Sequence, residues 1–245
     1  MKKLFLFFIL AFILPSVILG QVPDALSLDL QNLVKPENFS RSINVLLTFA
    51  SLGLIPFVLV STTSFLRIII VFSLMRQALG TGQSPPNTVI ISLAIFMTVF
   101  IMTPTWNSIN TSALNPYYAG KINQKEAISL AIEPIQQFML KLTREKDLEL
   151  FLRFSQLENV SNVDEVPIWI TIPAFLISEL KSAFQISFLL FIPFVVVDLI
   201  VSNILLALGM FMLSPALVSL PFKILLFVLA DGWNLLTQGL LLSFQ

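Results

Sequence analysis

Apolar positions in this chain come in long runs instead of alternating with polar ones. Residues 4–14 form a first, short run, and residues 21–40 are mixed and polar, with Pro23 and Pro36. Residues 43–75 are almost wholly apolar and longer than one membrane crossing. A kink or break is expected near Pro56, because proline removes a helix donor and clashes with the preceding turn. A loop with Gly80, Gly82 and the Pro85-Pro86 pair leads to another apolar helix over 87–102, ended by Pro104. Residues 106–167 differ in kind: half of the charges fall here, and apolar residues take helical spacing over 126–142 and 148–157. Residues 173–210 form a second long apolar stretch, interrupted by Pro193. A turn with Pro215 and Pro221 follows, then a last apolar segment over 222–244. At roughly 20 residues per crossing, this pattern predicts four segments long enough to span a membrane.

The predicted class is therefore all-α: integral-membrane helical hairpins with an inserted, water-exposed helical segment. The organisation reads as 1–20 signal peptide, 21–42 exposed leader, 43–104 first apolar hairpin, 105–172 polar insert, and 173–245 second apolar hairpins. The signal reading rests on Lys2 and Lys3 before the 4–14 run and on the small Gly20 after it. Export of the N-terminus and two crossings then place the polar insert on the periplasmic side. Its Lys121, Lys125, Lys141, Arg144, Lys146 and Arg153 face eight acidic residues, and the loop with Arg76 is left for the cytoplasm.

Composition sharpens this picture. Hydrophobic residues make up 56% and charged residues 11%, too few charges to cover a water-facing surface. The 14 basic and 14 acidic residues balance, and no basic patch suggests nucleic acid. Cysteine and histidine are absent, which removes thiol chemistry and the commonest general base and metal ligand. No catalytic residue, metal or cofactor is expected.

The informative residues are ionisable ones inside apolar runs: Arg67, Glu179, Lys181, Asp198, Lys223 and Asp231. Each costs about 2.5–3.5 kcal/mol at a bilayer centre. Three are basic and three acidic, so pairing relieves the cost. Ser178, Ser182 and Gln185 form a polar stripe on one helical face, and Asp198 and Ser202 repeat it. Such faces need protein or water, which points to tight oligomers with the stripes at subunit contacts or along a channel. Glu179, Lys181 and Lys223 are the candidate subunit contacts. Arg67, Asp198 and Asp231 are the candidate buried structural charges, with Arg67 and Asp198 satisfying each other or a neighbouring helix end.

Several longer motifs carry a resemblance. They are residues 173–186 (PAFLISELKSAFQI), 191–199 (FIPFVVVDL), 219–223 (SLPFK) and 231–233 (DGW). Upstream stand 63–68 (TSFLRI), 78–80 (ALG) and 85–87 (PPN). From about Leu52 to the C-terminus the chain resembles the FliP family of flagellar export proteins and their injectisome counterparts. It departs at Ser187, where the family usually has glycine, and at Thr88, where glutamine is usual. The resemblance implies a core subunit of the flagellar type III protein-export gate in the bacterial inner membrane and basal body. There a five-membered FliP ring joins FliQ and FliR to pass unfolded flagellar proteins, and its apolar hairpins pack into a helical cone raised largely above the bilayer. It also implies that Met210, Phe211 and Met212 belong to a methionine-rich loop that narrows the pore; Phe211 stands where methionine is common. The alternative is a small secondary transporter, which uses broken helices and midplane charges.

Overall fold

The computed structural model describes residues 39–155 and 166–244. The expected signal peptide and most of the leader lie outside the described residues, as do positions 156–165 of the insert. Every regular element among the described residues is helical. The chain divides into two compact units, residues 1–55 and 56–245. The first contributes the start of α1 (Phe39–Thr62), and the remainder of this description concerns the second.

Helix α1 continues through Pro56 and ends at Thr62, so the expected break falls later. The Ser61 and Thr62 hydroxyls donate to Val58 O, and the Thr63 hydroxyl donates to Leu59 O. These hydroxyls satisfy carbonyls that the next helical turn would otherwise use, and the chain turns at Thr63-Ser64. Helix α2 (Phe65–Leu79) then buries Arg67, Ile68, Val71, Phe72, Met75, Ala78 and Leu79, one face at 3.6-residue spacing. It ends at Gly80, whose φ of 75° is the left-handed cap conformation glycine adopts without penalty.

Helix α3 (Asn87–Ile101) follows, and the chain bends by 52° into α4 (Thr103–Ile109), a π-helical turn (Asn110–Leu114) and α5 (Asn115–Tyr118). Helix α6 (Gln124–Leu142) opens on a capping box in which Asn123 and Glu126 satisfy each other's backbone donors. Helix α7 (Glu145–Phe154) completes the described part of the insert. A small cluster of Leu148, Val166, Ile170 and Ala174 packs α7 against the start of the next helix.

That helix, α8 (Ile168–Ala207), is 40 residues long and continuous through both Pro173 and Pro193. The expected interruption at Pro193 does not occur. A single missing donor in a long apolar helix is tolerated where packing and neighbouring groups support the backbone. At 1.5 Å per residue α8 extends about 60 Å, twice the hydrocarbon thickness of a bilayer. It is the one described helix long and apolar enough to cross a membrane alone; three bent helix pairs bring the number to at most four.

Helix α9 (Pro215–Leu229) begins earlier than the expected turn at 213–221 allows, with Pro215 in the first helical turn, where its missing donor costs nothing. The last apolar segment is not one helix. It breaks at Ala230-Asp231 and bends by 63° into α10 (Gly232–Leu242). The main core gathers one face of α2 with residues of α3, α8, α9 and α10, centred on Ile68, Val71, Phe72, Ala94, Ala183 and Leu240.

Candidate functional site

Four of the six charges inside apolar runs form two ion pairs: one joins α2 to α8, and the other joins α9 to α8. Arg67, in the first turn of α2, donates from Nε to Glu179 Oε2 at 2.9 Å and from Nη2 to Glu179 Oε1. Its Nη1 donates to the backbone oxygen of Ser243 at 2.8 Å and to that residue's hydroxyl at 3.0 Å. The Phe244 ring covers the guanidinium carbon at 4.0 Å. Glu179 is fully buried. Arginine suits this place because its planar fork meets both carboxylate oxygens and has donors left over. The Ser243 carbonyl lies at the C-terminus of α10, where a cation also meets the negative end of the helix dipole.

The second pair lies at the other end of α2. Lys223 of α9 donates to Asp198 Oδ2 at 2.6 Å and to the carbonyl of Ala78 at 3.3 Å. Ser219, one turn before Lys223, donates to Asp198 Oδ1 at 2.5 Å. Asp198 is therefore bonded through both oxygens, although its side chain keeps 38% exposure. Ala78 O is among the last carbonyls of α2, so this cation too faces a helix C-terminus. Since Glu179 meets the start of α2 and Asp198 is joined to its end through Lys223, α2 and α8 run in the same sense.

These contacts change three of the sequence expectations. Arg67 and Asp198 do not satisfy each other: the partners are Arg67–Glu179 and Lys223–Asp198. Glu179 and Lys223 meet their partners inside one chain, because α8 carries a carboxylate opposite each end of α2. Both side chains are buried within the chain. Asp231 is exposed, at the break between α9 and α10 with φ of 50°, where Asn234 donates to its carboxylate at 3.0 Å. A continuous apolar run had implied burial; the bend carries this residue out. Lys181 is exposed on α8 beside Phe184, Gln185, Phe188 and Leu189.

The polar stripe on α8 also has its partner within the chain. The backbone N–H of Arg144 donates to Ser178 Oγ at 3.0 Å, and its guanidinium donates to Ser182 Oγ at 3.2 Å and Gln185 Oε1 at 2.5 Å. Ser178 donates in turn to Asp147 at 2.7 Å. The stripe signalled a polar partner, but nothing local to Arg144 or Asp147 separates them from the other charges of the insert. Ser219 and Ser243 were missed as partners because nothing local sets them apart from the other serines of the apolar runs.

The remaining candidates lie together in the loop between α8 and α9. Gly209 has φ of 71°, Gly209 N–H donates to Leu206 O, and Met210 N–H donates to Leu205 O. This paired closure ends α8 abruptly. Met210, Phe211 and Met212 are exposed, Phe211 to 77% and Met212 completely. The exposed apolar surface continues along α8 through Val195, Val196, Leu199, Ile200 and Ile204.

Known proteins give this arrangement its context. The model of the FliP family matches residues 46–240. The chain is 48% identical to the flagellar biosynthetic protein FliP of Bacillus subtilis, over 85% of this chain and 95% of the relative. It is 45% identical to that of Pectobacterium carotovorum, over 96% and 90% respectively. For the protein of the same name from Aquifex aeolicus the figures are 48% identity over 85% and 88%. With a family match across most of its length and relatives this similar, the chain belongs to the FliP family.

Proposed function

We propose that the chain is a core subunit of the flagellar type III protein-export gate. In this reading five copies form a ring that joins FliQ and FliR in the bacterial inner membrane at the flagellar basal body. Unfolded flagellar proteins leave the cytoplasm through it. The family membership and the names of the relatives support a flagellar role. The observation that carries the pore reading is the exposed Met210-Phe211-Met212 loop at the tip of an apolar hairpin. No soluble monomer gains from displaying such side chains, whereas a ring of them forms a flexible apolar seal. Methionine suits a seal because it is unbranched and repacks around varied shapes. Phe211 adds bulk and stiffness to it.

The exposed face of α8 supports assembly as well, since Phe184, Phe188, Leu189 and Val195 need cover from lipid or protein. Lys181 beside them remains the charge available to a neighbouring subunit. Residues 1–20 act as the export signal and residues 105–172 lie on the periplasmic side. N-terminal sequencing of the mature protein is expected to begin close to Gln21; an intact Met1 in the assembled complex rejects the signal reading.

The test of the gate is leakage. Replacing Met210, Phe211 and Met212 with alanine is expected to leave rings intact and make the membrane permeable to small solutes. Normal rings in a tight membrane mean that this loop is not the seal. A monomer with ion-coupled solute uptake, purified in mild detergent, identifies a secondary transporter instead.

A further inference from the structure

The tip of the α8–α9 hairpin stands apart from the core that organises the rest of the unit. The main core takes Phe194 from α8 and Phe227 from α9 but nothing from residues 195–226 between them. Beyond Asp198, α8 runs on to Ala207, a further distance of about 13 Å at the helical rise. Within this stretch Val201 and Leu205 are buried, while Leu199, Ile200, Ile204, Leu206 and, across the loop, Leu217 are exposed. Apolar packing therefore leaves the stance of the tip weakly determined.

What ties its base is polar. Asp198 takes Ser219 on one oxygen and Lys223 on the other, which locks α8 to α9. The same Lys223 ammonium bonds Ala78 O, which locks both to the end of α2. Lys223 is buried, so this contact is shielded from competing water. The Leu220 side chain of α9 also lies close to Gly80 at the end of α2: a Cβ built there would be 3.8 Å from it.

We propose that Asp198, Ser219 and Lys223 form a brace that sets the angle of the hairpin tip relative to α2, and so the position of the Met210–Met212 loop. These are positioning residues: none belongs to the loop, and each acts on it through the base of the hairpin. The consequence for sealing rests on the gate reading above, whereas the stance of the tip does not.

The chain has no cysteine, so paired spin labels can be introduced cleanly. Labels at Gln83→Cys and Leu217→Cys report the tip against the α2–α3 loop; Gln83→Cys with Phe100→Cys serves as the control pair. All three positions are exposed. Removing one charge leaves the other buried and unpaired and endangers folding. The deciding variant is therefore Asp198→Leu with Lys223→Met, which replaces both by apolar groups. The tip distance distribution is expected to widen at least two-fold with the control unchanged, and Ser219→Ala is expected to give an intermediate width. A native width in the double variant overturns the proposal, and so does equal broadening of the control pair. A widened tip in an assembled ring that stays tight to small solutes leaves the brace standing and rejects the seal.

Discussion

Arg67 and Glu179 lie 112 residues apart in the chain and share both carboxylate oxygens in a buried, forked contact. A pair in this setting is costly to break from one side, because the remaining charge stays desolvated. Arg67→Leu or Glu179→Leu alone is expected to destabilise the fold by about 3–5 kcal/mol and to lower accumulation in the membrane. The double replacement should recover most of the loss, since two apolar side chains of similar volume leave no buried charge. Membrane abundance and detergent-solution Tm of the three variants check this. Equal abundance of Arg67→Leu and the unmodified protein rejects the structural role.

The Phe227 ring occupies the space beside residue 232: a Cβ there would lie 2.1 Å from two of its ring atoms. The ring cannot swing away freely, since Phe194 and Trp233 flank it with centroids 6.5 and 5.3 Å away. Gly232→Ala is therefore expected to cost about 1–3 kcal/mol through overpacking, seen as a lowered Tm. Phe227→Leu in the same chain should return part of it. A neutral Gly232→Ala would show that the α9–α10 corner is looser than this packing implies.

Much of this arrangement was legible in the sequence, and the parts that were not share physical causes. Periodicity marks the buried face of α2 well, from Arg67 to Leu79, because an apolar core on one side imposes it. Proline was the weaker guide. Pro56, Pro193 and Pro221 lie inside helices, whereas the breaks fall at Thr63-Ser64 and Ala230-Asp231. Side-chain hydroxyls at the first break and a left-handed aspartate at the second decide those ends. The six charges were visible as anomalies, and four of them pair, whereas Lys181 and Asp231 are exposed. Which charge meets which depends on α2 and α8 running in the same sense, and no local pattern encodes that. Arg144 was hidden for the opposite reason: among many charges, one with a specific partner looks like the rest.

Arg144 and Asp147 fasten the α6–α7 junction to α8 through Ser178, Ser182 and Gln185. Arg144→Ala removes the guanidinium bonds but keeps the backbone bond to Ser178. The expected effect is local: faster amide exchange across Glu145–Phe154, with a modest loss of about 1–2 kcal/mol for charge-assisted bonds at a partly exposed site. Ser178→Ala removes both the acceptor for Arg144 N–H and the donor to Asp147, so it should open the same segment further. Unchanged exchange in both variants would mean that the Leu148–Ile170 cluster alone holds the insert.

Gly209 offers a way to disturb the loop without touching its exposed side chains. At φ of 71° it closes α8, and the Met210 N–H it directs back to Leu205 O fixes where the loop departs. No atom lies within 4 Å of a Cβ built there, so space is not the constraint; backbone conformation is. A β-branched residue in the left-handed region is strained, with a cost of roughly 1–2 kcal/mol even for an ordinary side chain. Asparagine tolerates the region far better. Gly209→Val is thus expected to shift the departure of the loop and raise small-solute leakage through an assembled gate, although Met210, Phe211 and Met212 are all present. Gly209→Asn should remain close to tight. The contrast matters more than either value, because both substitutions add a side chain to the same open space and differ in the conformation they accept. Equal leakage in the two variants would show that bulk at the tip matters and the left-handed closure does not.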